Sequence, residues 1–361
     1  MSFNLQKISY FFSQFKFYLT LDFIALILLI VAIYKIYKNR ISAKKKNILI
    51  AIVFSLFFAL IAFSLGEAYF RFIYDEPDGL GFLQVSKNWQ TKHVVFNNFF
   101  FRDRNFEVNK KEGTIRIGIL GDSIAYGAGI ENVDDRFSNI LQNMLTNSGY
   151  NVEVYNLGKS GHDTEGEIKV YNDIKHLNFD ILVWEYFLND IEPLEQNKGT
   201  PIIDESKKRT RYIEFLSKQS YYFDFLYWRF STKYQKTLKA LRTADLNLYK
   251  DPKELERHEK DIATLANSIR EGNKKVLTVI FPSMFLLGPN YPVSIHQTMS
   301  TYFYSIGIEA LDLLPHLKNY KPQEVMVSRF DQHPNEFVHN LAAQKIFEKI
   351  IPYLNDIESK K

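Results

Sequence analysis

Hydrophobic residues follow two different patterns along this chain. From residue 114 onwards, short apolar runs alternate with segments in which apolar residues recur at helical spacing. The runs predict strands at 114–120, 152–157, 179–187, 275–281 and 308–313, and the segments predict helices at 134–148, 164–177, 252–270, 297–305 and 336–350. Pro352 should end the last helix. Largely apolar strands that alternate with helices predict a mainly parallel sheet in a three-layer α/β/α sandwich.

The first 66 residues show the other pattern, in which long stretches are apolar on every side. Residues 47–66 form a run of 20 residues without a charge. At ~1.5 Å per residue this run matches a hydrocarbon core of ~30 Å, so it predicts a transmembrane helix. Residues 17–37 have a shorter apolar centre between Asp22 and Lys35. They predict a second transmembrane helix, with a signal-like or interfacial helix as the alternative.

The distribution of charged residues predicts how these helices are oriented in the membrane. The chain carries a net charge of +4, and the loop 38–46 between the two apolar runs contains basic residues but no acidic one. Short basic loops stay in the cytoplasm, so we expect a two-span protein of the cell membrane with residues 67–361 on the extracytoplasmic side. The rest of the chain is mildly acidic, and nucleic acid is therefore not an expected partner.

The chain is predicted to have three parts. Residues 1–66 form a membrane anchor, residues 67–106 an aromatic-rich connector, and residues 107–361 the strand–helix domain. A helical insertion is predicted at about 200–260, where the alternation stops. A lid, or a surface that lies on lipid headgroups, is the alternative interpretation of this insertion. The chain has no cysteine, which excludes disulfides and thiolate metal sites.

Candidate chemistry lies where predicted elements end. A Gly-Asp-Ser triplet at 121–123 follows the first strand, and an Asp-Gln-His triplet at 331–333 precedes the last helix. A serine becomes a strong nucleophile when a histidine takes its proton, and a carboxylate can fix the histidine tautomer. Ser123, His333 and Asp331 therefore provide the parts of a nucleophilic site. In parallel sheets such sites lie beyond the carboxyl ends of the strands.

Two more segments end strands at the same predicted edge. Gly161 has no side chain to block approach to its backbone N–H, and Asn189 carries a side-chain amide. Both groups suit the stabilisation of a developing oxyanion, although each residue is by itself also typical of an ordinary turn. The chain has no phosphate-binding glycine loop and no spaced set of metal ligands, so no cofactor and no metal are implied.

Four blocks occur in order: G-D-S at 121–123, N-x-x-x-x-G at 156–161, N-D at 189–190 and D-x-H-P-N at 331–335. With this combination the chain resembles the SGNH (GDSL) hydrolase superfamily over residues 100–355, as a membrane-anchored member. The resemblance implies a flavodoxin-like sheet, with Ser123 as nucleophile, His333 as base and Asp331 as the residue that orients it. It also implies an oxyanion hole formed by the N–H groups of Ser123 and Gly161 and the Asn189 side chain.

The chain departs from the family pattern in two places. Phe187 stands where the third block usually has glycine, and the last block is one residue shorter than the usual D-x-x-H. The resemblance implies a serine esterase that removes acetyl or other short acyl groups from small-molecule or glycan O-esters. One alternative is an O-acyltransferase that modifies cell-surface or exported polysaccharide, with a membrane O-acyltransferase as partner. The other is a non-catalytic membrane-anchored scaffold, which the two departures favour.

Overall fold

The computed structural model describes residues 5–193, 199–272 and 274–360. The chain forms two compact units. The first unit consists of Met1–Asp75, Leu83–Asn88 and Arg209–Phe230, and the second consists of Glu76–Phe82, Trp89–Lys208 and Ser231–Lys361. The domain boundaries given above stay a prediction.

Among the described residues, the first unit contains helices, and the second contains both helices and strands. In chain order the helices are α1 (Leu5–Lys38), α2 (Ala43–Phe72), α3 (Ser86–His93), α4 (Ser123–Tyr126), α5 (Phe137–Asn147), α6 (Thr164–Ile174), α7 (Gly199–Lys207), α8 (Arg211–Gln219), α9 (Tyr221–Phe230), α10 (Lys233–Leu248), α11 (Pro252–Arg270), α12 (Val293–Ser305), α13 (Leu314–Leu317), α14 (Pro322–Val325) and α15 (Glu336–Glu358). The strands are β1 (Ile115–Leu120), β2 (Val152–Asn156), β3 (Ile181–Phe187), β4 (Lys275–Phe281), β5 (Glu309–Asp312), β6 (Met326–Ser328) and β7 (Asp331–Pro334).

A five-stranded sheet forms the centre of the second unit. Its strand order is β2-β1-β3-β4-β5, and all neighbouring strands are parallel. This is the flavodoxin-like order, in which the ligand site lies at the switch point between β1 and β3. Every residue of β1 and β3 is buried, which explains why these strands are apolar without alternation. All five strands of the sheet lie within two residues of the predicted runs.

Helices cover both faces of this sheet. On one face, the Phe137 ring of α5 lies 5.7 Å from the Phe281 ring of β4 and 5.6 Å from the His339 ring of α15. On the other face, the Trp184 ring of β3 lies 5.5 Å from the Phe303 ring of α12. The predicted three-layer α/β/α architecture is therefore confirmed.

The structure departs from the sequence-based expectations in one helix end and in one additional hairpin. Helix α15 continues to Glu358 with Pro352 inside it, so the expected end before this proline is wrong. Proline removes one helical hydrogen bond, but the following turn buries Leu354 completely, and the Tyr353 hydroxyl lies 2.8 Å from a carboxylate oxygen of Glu309. The antiparallel hairpin of β6 and β7 was not predicted at all, because strands of three and four residues are too short to show a period.

The first unit places its apolar residues differently. Helices α1 and α2 pack on each other, and the Ser64 hydroxyl donates to the Asp22 carboxylate across a distance of 2.8 Å. Over Phe12–Lys38 and Ala43–Phe72 they are long and apolar enough to cross a membrane, by length and composition. The two predicted apolar helices are thus confirmed, and their membrane orientation stays a prediction.

Candidate active site

The turn after β1 exposes a serine at the carboxyl edge of the sheet. Strand β1 ends at Leu120, and Ser123 is the first residue of the short helix α4. Asp122 caps this helix by accepting the Ile124 N–H at 2.8 Å. A side chain at Gly121 would collide with the carboxylate of Glu185. The sharp strand-to-helix turn therefore requires glycine at 121 and presents Ser123 beyond the strand end.

Glu185 supports this turn from the neighbouring strand β3. Its side chain is completely buried, and one carboxylate oxygen accepts the N–H groups of Asp122 and Ala125 at 3.0 and 3.3 Å. Burial raises the pKa of Glu185 well above its usual value, and the nearby carboxyl groups of Asp122 and Asp190 raise it further. Glu185 lies outside the four sequence blocks, and the only signal for it in the sequence is an acidic residue inside a run that predicts a buried strand.

Ser123, His333 and Asp331 lie in one hydrogen-bonded chain. The Ser123 Oγ is 2.8 Å from the His333 Nε2, and the His333 Nδ1 is hydrogen-bonded to the Asp331 Oδ1. The same carboxylate oxygen accepts the His333 backbone N–H at 3.0 Å. Both residues lie on β7, where positions i and i+2 point to the same face. The shortened D-x-H spacing therefore suits a strand.

The environment of His333 sets its protonation. Burial lowers its pKa, but the charge and hydrogen bond of Asp331 raise it more, so that the pKa lies above the usual value of 6.5. The positive charge of Arg242 acts in the opposite direction. An Nδ1–H that donates to Asp331 leaves Nε2 free to accept the Ser123 hydroxyl proton. The imidazole is therefore oriented as a general base.

Asn189 lies beside these residues. It follows β3 and lines the same small cavity as Ser123 and His333. Its amide nitrogen lies 3.3 Å from an Asp122 carboxylate oxygen, and its amide oxygen is buried without a partner among the described residues. Asp190 holds the turn by accepting the Phe187 N–H at 2.8 Å. The Asn189 amide is thus placed near the serine without a fully satisfied set of hydrogen bonds.

The block at 156–161 supports the nucleophile turn from the other side. The Asn156 amide donates to the Ala125 carbonyl at 2.6 Å, and a side chain at Gly158 would collide with the backbone of Tyr126. Gly161 has a φ of 82°, in the region that favours glycine. Within the described part of the chain, neither its N–H nor that of Ser123 donates a hydrogen bond, and Gly161 is not among the residues lining the cavity.

The cavity next to Ser123 is small and partly apolar. Its volume of about 20 Å³ leaves room for one small group. The lining residues are Ser123, Ile124, Phe187, Asn189, Arg242, Pro282, Met284, Gln332, His333 and Pro334. The Arg242 guanidinium lies 5.1 Å from the centre of the Phe187 ring and donates to the Gln332 side chain at 3.1 Å. Sequence analysis missed Arg242, because it comes from helix α10, far from every block.

Three solved structures are similar to about two thirds of this chain. TesA is 15% identical, with 66% of this chain and 98% of TesA covered and a TM-score of 0.42. The predicted mainly parallel sheet of flavodoxin-like order is confirmed by the strand order itself. An acetyl xylan esterase, AlAXEase, is 14% identical over 66% of this chain and 100% of its own, with a TM-score of 0.43. A lipase/acylhydrolase from Enterococcus faecalis is 16% identical over 65% and 95%, with a TM-score of 0.40.

Comparison of the sequence with family models and curated proteins gives no match. Structural likeness of the degree found concerns the course of the backbone and does not identify a substrate. Among the described residues there is also no group of three or more His, Asp or Glu side chains placed to hold a metal ion.

Proposed function

We propose that this chain is a serine ester hydrolase. The observation that carries the proposal is the hydrogen-bonded chain from the Ser123 Oγ through His333 to Asp331, which joins residues 210 positions apart. In the reaction, the Ser123 Oγ attacks the ester carbonyl carbon while the His333 Nε2 takes its proton, and Asp331 stabilises the imidazolium. The leaving alcohol takes this proton. His333 then deprotonates a water molecule, which attacks the acyl carbon; the bond to the Ser123 Oγ breaks, the proton returns from His333 to this oxygen, and the carboxylic acid leaves.

The negative charge that develops on the carbonyl oxygen needs hydrogen-bond donors. We assign this role to the N–H groups of Ser123 and Gly161 and to the Asn189 amide. Two observations support the assignment: both N–H groups lack an acceptor among the described residues, and Asn189 lines the cavity that contains the serine. Such a site stabilises the tetrahedral intermediate more than the ester, and this difference accelerates the reaction.

We infer that the acyl group is short, with acetyl as the best fit. The cavity of about 20 Å³ accepts one small group, and the Phe187 ring forms part of its wall. Replacing Phe187 with alanine should therefore improve the kcat/KM for p-nitrophenyl butyrate relative to the acetate by ~10-fold or more, since one methylene group in such a pocket changes specificity by about this factor. An unchanged ratio would contradict the acyl assignment and leave the triad unaffected.

A second cavity favours a glycan as the alcohol part. It measures about 590 Å³ and is lined by Gln235, Phe285, Pro322, Gln323, Met326, Val327, Ser328 and Arg329. Three of these residues form β6, whose partner strand β7 carries Asp331 and His333. Polar side chains beside an aromatic ring suit sugar hydroxyls. A sugar bound there could also accept the acyl group in place of water, so that an acyltransferase with a membrane O-acyltransferase partner is the second candidate.

The direct test is to identify the nucleophile in the full-length chain. We expect a fluorophosphonate to label the purified protein on Ser123, and Ser123→Ala to lose both this label and p-nitrophenyl acetate hydrolysis. The exposed Ser160 in the neighbouring block provides the control, and Ser160→Ala should retain both. Hydrolysis that persists in Ser123→Ala would show that the proposal is wrong. Adding a sugar acceptor and measuring the acylated sugar then separates transfer from hydrolysis.

A further inference from the structure

Helix α8 of the first unit has an apolar face that its own unit does not cover. Tyr212, Phe215 and Leu216 are 82%, 61% and 44% exposed. Their spacing of three and four residues places them on one side of the helix. The opposite side carries the buried Ser217 and the ion-paired Glu214. The helix is therefore amphipathic, with its apolar side facing outwards.

The end of α8 is attached to both apolar helices. The Gln219 carbonyl accepts the Tyr18 hydroxyl of α1 at 3.0 Å and an Arg71 Nη2 of α2 at 2.7 Å. Tyr18 lies before the uncharged centre of α1, and Arg71 lies in the last turn of α2. The Phe15 and Phe72 rings, 6.1 Å apart, show that these two points belong to the same end of the antiparallel pair. The C-terminal end of α8 thus lies where the apolar surface of the pair ends.

The junction between α8 and α9 is fixed in this position. The Glu67 carboxylate of α2 is completely buried and accepts the Tyr222 N–H at 3.0 Å and the Ser220 hydroxyl at 2.6 Å. A carboxylate at the start of α9 also stabilises that helix. The Phe70 ring of α2 stacks on Phe225 at 4.6 Å. The outward direction of the apolar side of α8 is therefore determined by packing against α2.

The composition of this region matches the boundary between lipid and water. Residues 209–230 contain four basic and two acidic residues together with many Tyr, Phe and Trp side chains. Aromatic rings are enriched at the headgroup level on both sides of a membrane, and the long side chains of Lys and Arg can reach the headgroups from there. A second copy of the chain or another protein would also bury apolar residues, but neither would account for the attachment of α8 to the ends of two apolar helices.

We propose that α8 lies in the headgroup layer of the bilayer and inserts Tyr212, Phe215 and Leu216 towards the acyl chains. This proposal rests on the proposed membrane crossing of α1 and α2. Amphipathic helices of this kind bury their apolar side ~5–10 Å below the headgroups. An α8 inserted in this way would hold α9, and with it the end of α2, at a fixed depth in the membrane.

The chain has no cysteine, so single-cysteine variants of the full-length protein provide the test. Phe215→Cys, Glu214→Cys and Leu56→Cys are labelled with bimane and reconstituted into vesicles of phosphatidylcholine and phosphatidylglycerol. Brominated acyl chains should quench the label at 215 at least about twofold more than at 214, because only 215 faces the lipid. Aqueous iodide should show the reverse order, and brominated chains should quench the label at 56 most strongly.

Each other outcome overturns a defined part of the proposal. Strong lipid quenching at 56 without quenching at 215 would retain the membrane anchor and reject the docking of α8. The absence of lipid quenching at 56 would reject the membrane anchor, and with it the docking. A label at 215 that is shielded from both lipid bromine and iodide would show that protein covers this side. Retained p-nitrophenyl acetate hydrolysis and an unchanged helical circular dichroism spectrum verify that each variant is folded.

Discussion

The two units use similar apolar residues against different surroundings. In the second unit, Trp184 and Phe281 are fully buried between a sheet and its covering helices. In the first unit, Leu56 and Leu65 lie on the apolar helix α2 and are each 67% exposed. Apolar side chains leave water in both cases if the exposed ones face lipid. The comparison shows that the direction of the apolar side chains, more than composition, distinguishes an anchor from a core.

Buried carboxylates occur in both units: Glu67 in the first, and Glu185 and Asp331 in the second. In the second unit, one Glu185 carboxylate oxygen accepts two backbone N–H groups, and Asp331 is hydrogen-bonded to His333. In the apolar surroundings of the sheet each such hydrogen bond is costly to lose. Changes to the active site should therefore affect hydrolysis without affecting membrane attachment, and changes to α1 or α2 should have the opposite effect.

The largest effect is expected at Asp331. In Asp331→Asn, the amide no longer holds His333 in the tautomer that accepts the serine proton, so kcat should fall by ~10⁴-fold. The control Asp135→Asn changes an exposed carboxylate and should leave kcat unchanged. Both values come from p-nitrophenyl acetate assays of the full-length protein. A decrease of less than about tenfold would show that Asp331 does not orient the base.

The next effect is expected at Asn189. In Asn189→Ala, one donor to the oxyanion is lost, and kcat should fall by ~10²–10³-fold with little change in KM. Asn132→Ala removes an amide that only caps a short 3₁₀ helix and serves as the control. An increase in KM at constant kcat would instead indicate that Asn189 binds the ester in its ground state.

A charged substitution at Leu56 should reduce the membrane insertion of the first unit. Leu56→Arg places a charge in the middle of α2, which disfavours membrane insertion by ~2.5–3.5 kcal/mol. The fraction of protein that resists alkaline extraction from membranes should therefore fall, while Leu56→Ile should behave as the wild type. Hydrolysis per folded molecule should not change. Full retention of Leu56→Arg in the membrane would contradict the assignment of α2 as a span.

The smallest effect is a shift in the pH profile. His333 must be neutral to accept the serine proton, and Asp331 raises its pKa above 6.5. The rate should therefore rise with pH through a midpoint above about 6.5. Arg242 lowers the pKa of His333, so Arg242→Gln should move this midpoint to higher pH. A shift to lower pH would contradict the electrostatic role of Arg242.

The strands of the sheet, and the position of the block residues at their ends, could be predicted because both depend on local sequence. Buried parallel strands are apolar along their length, and Ser123 and Asn189 follow such strands directly. The hairpin that carries His333 could not be predicted, since its strands are too short for a period. Glu185 and Arg242 were missed for another reason: their roles depend on a neighbouring strand or a distant helix. Pro352 shows tertiary packing prevailing over local preference.

Asp331 and His333 share one strand of four residues. Any rearrangement that moves β7 therefore moves Asp331 and His333 together and keeps their hydrogen bond. The approach of β7 to the serine turn closes a loop that spans 210 positions of the chain. The entropic cost of closing such a long loop grows only slowly with its length. Long insertions between Ser123 and β7 are therefore compatible with an intact hydrogen-bonded chain from Ser123 to Asp331.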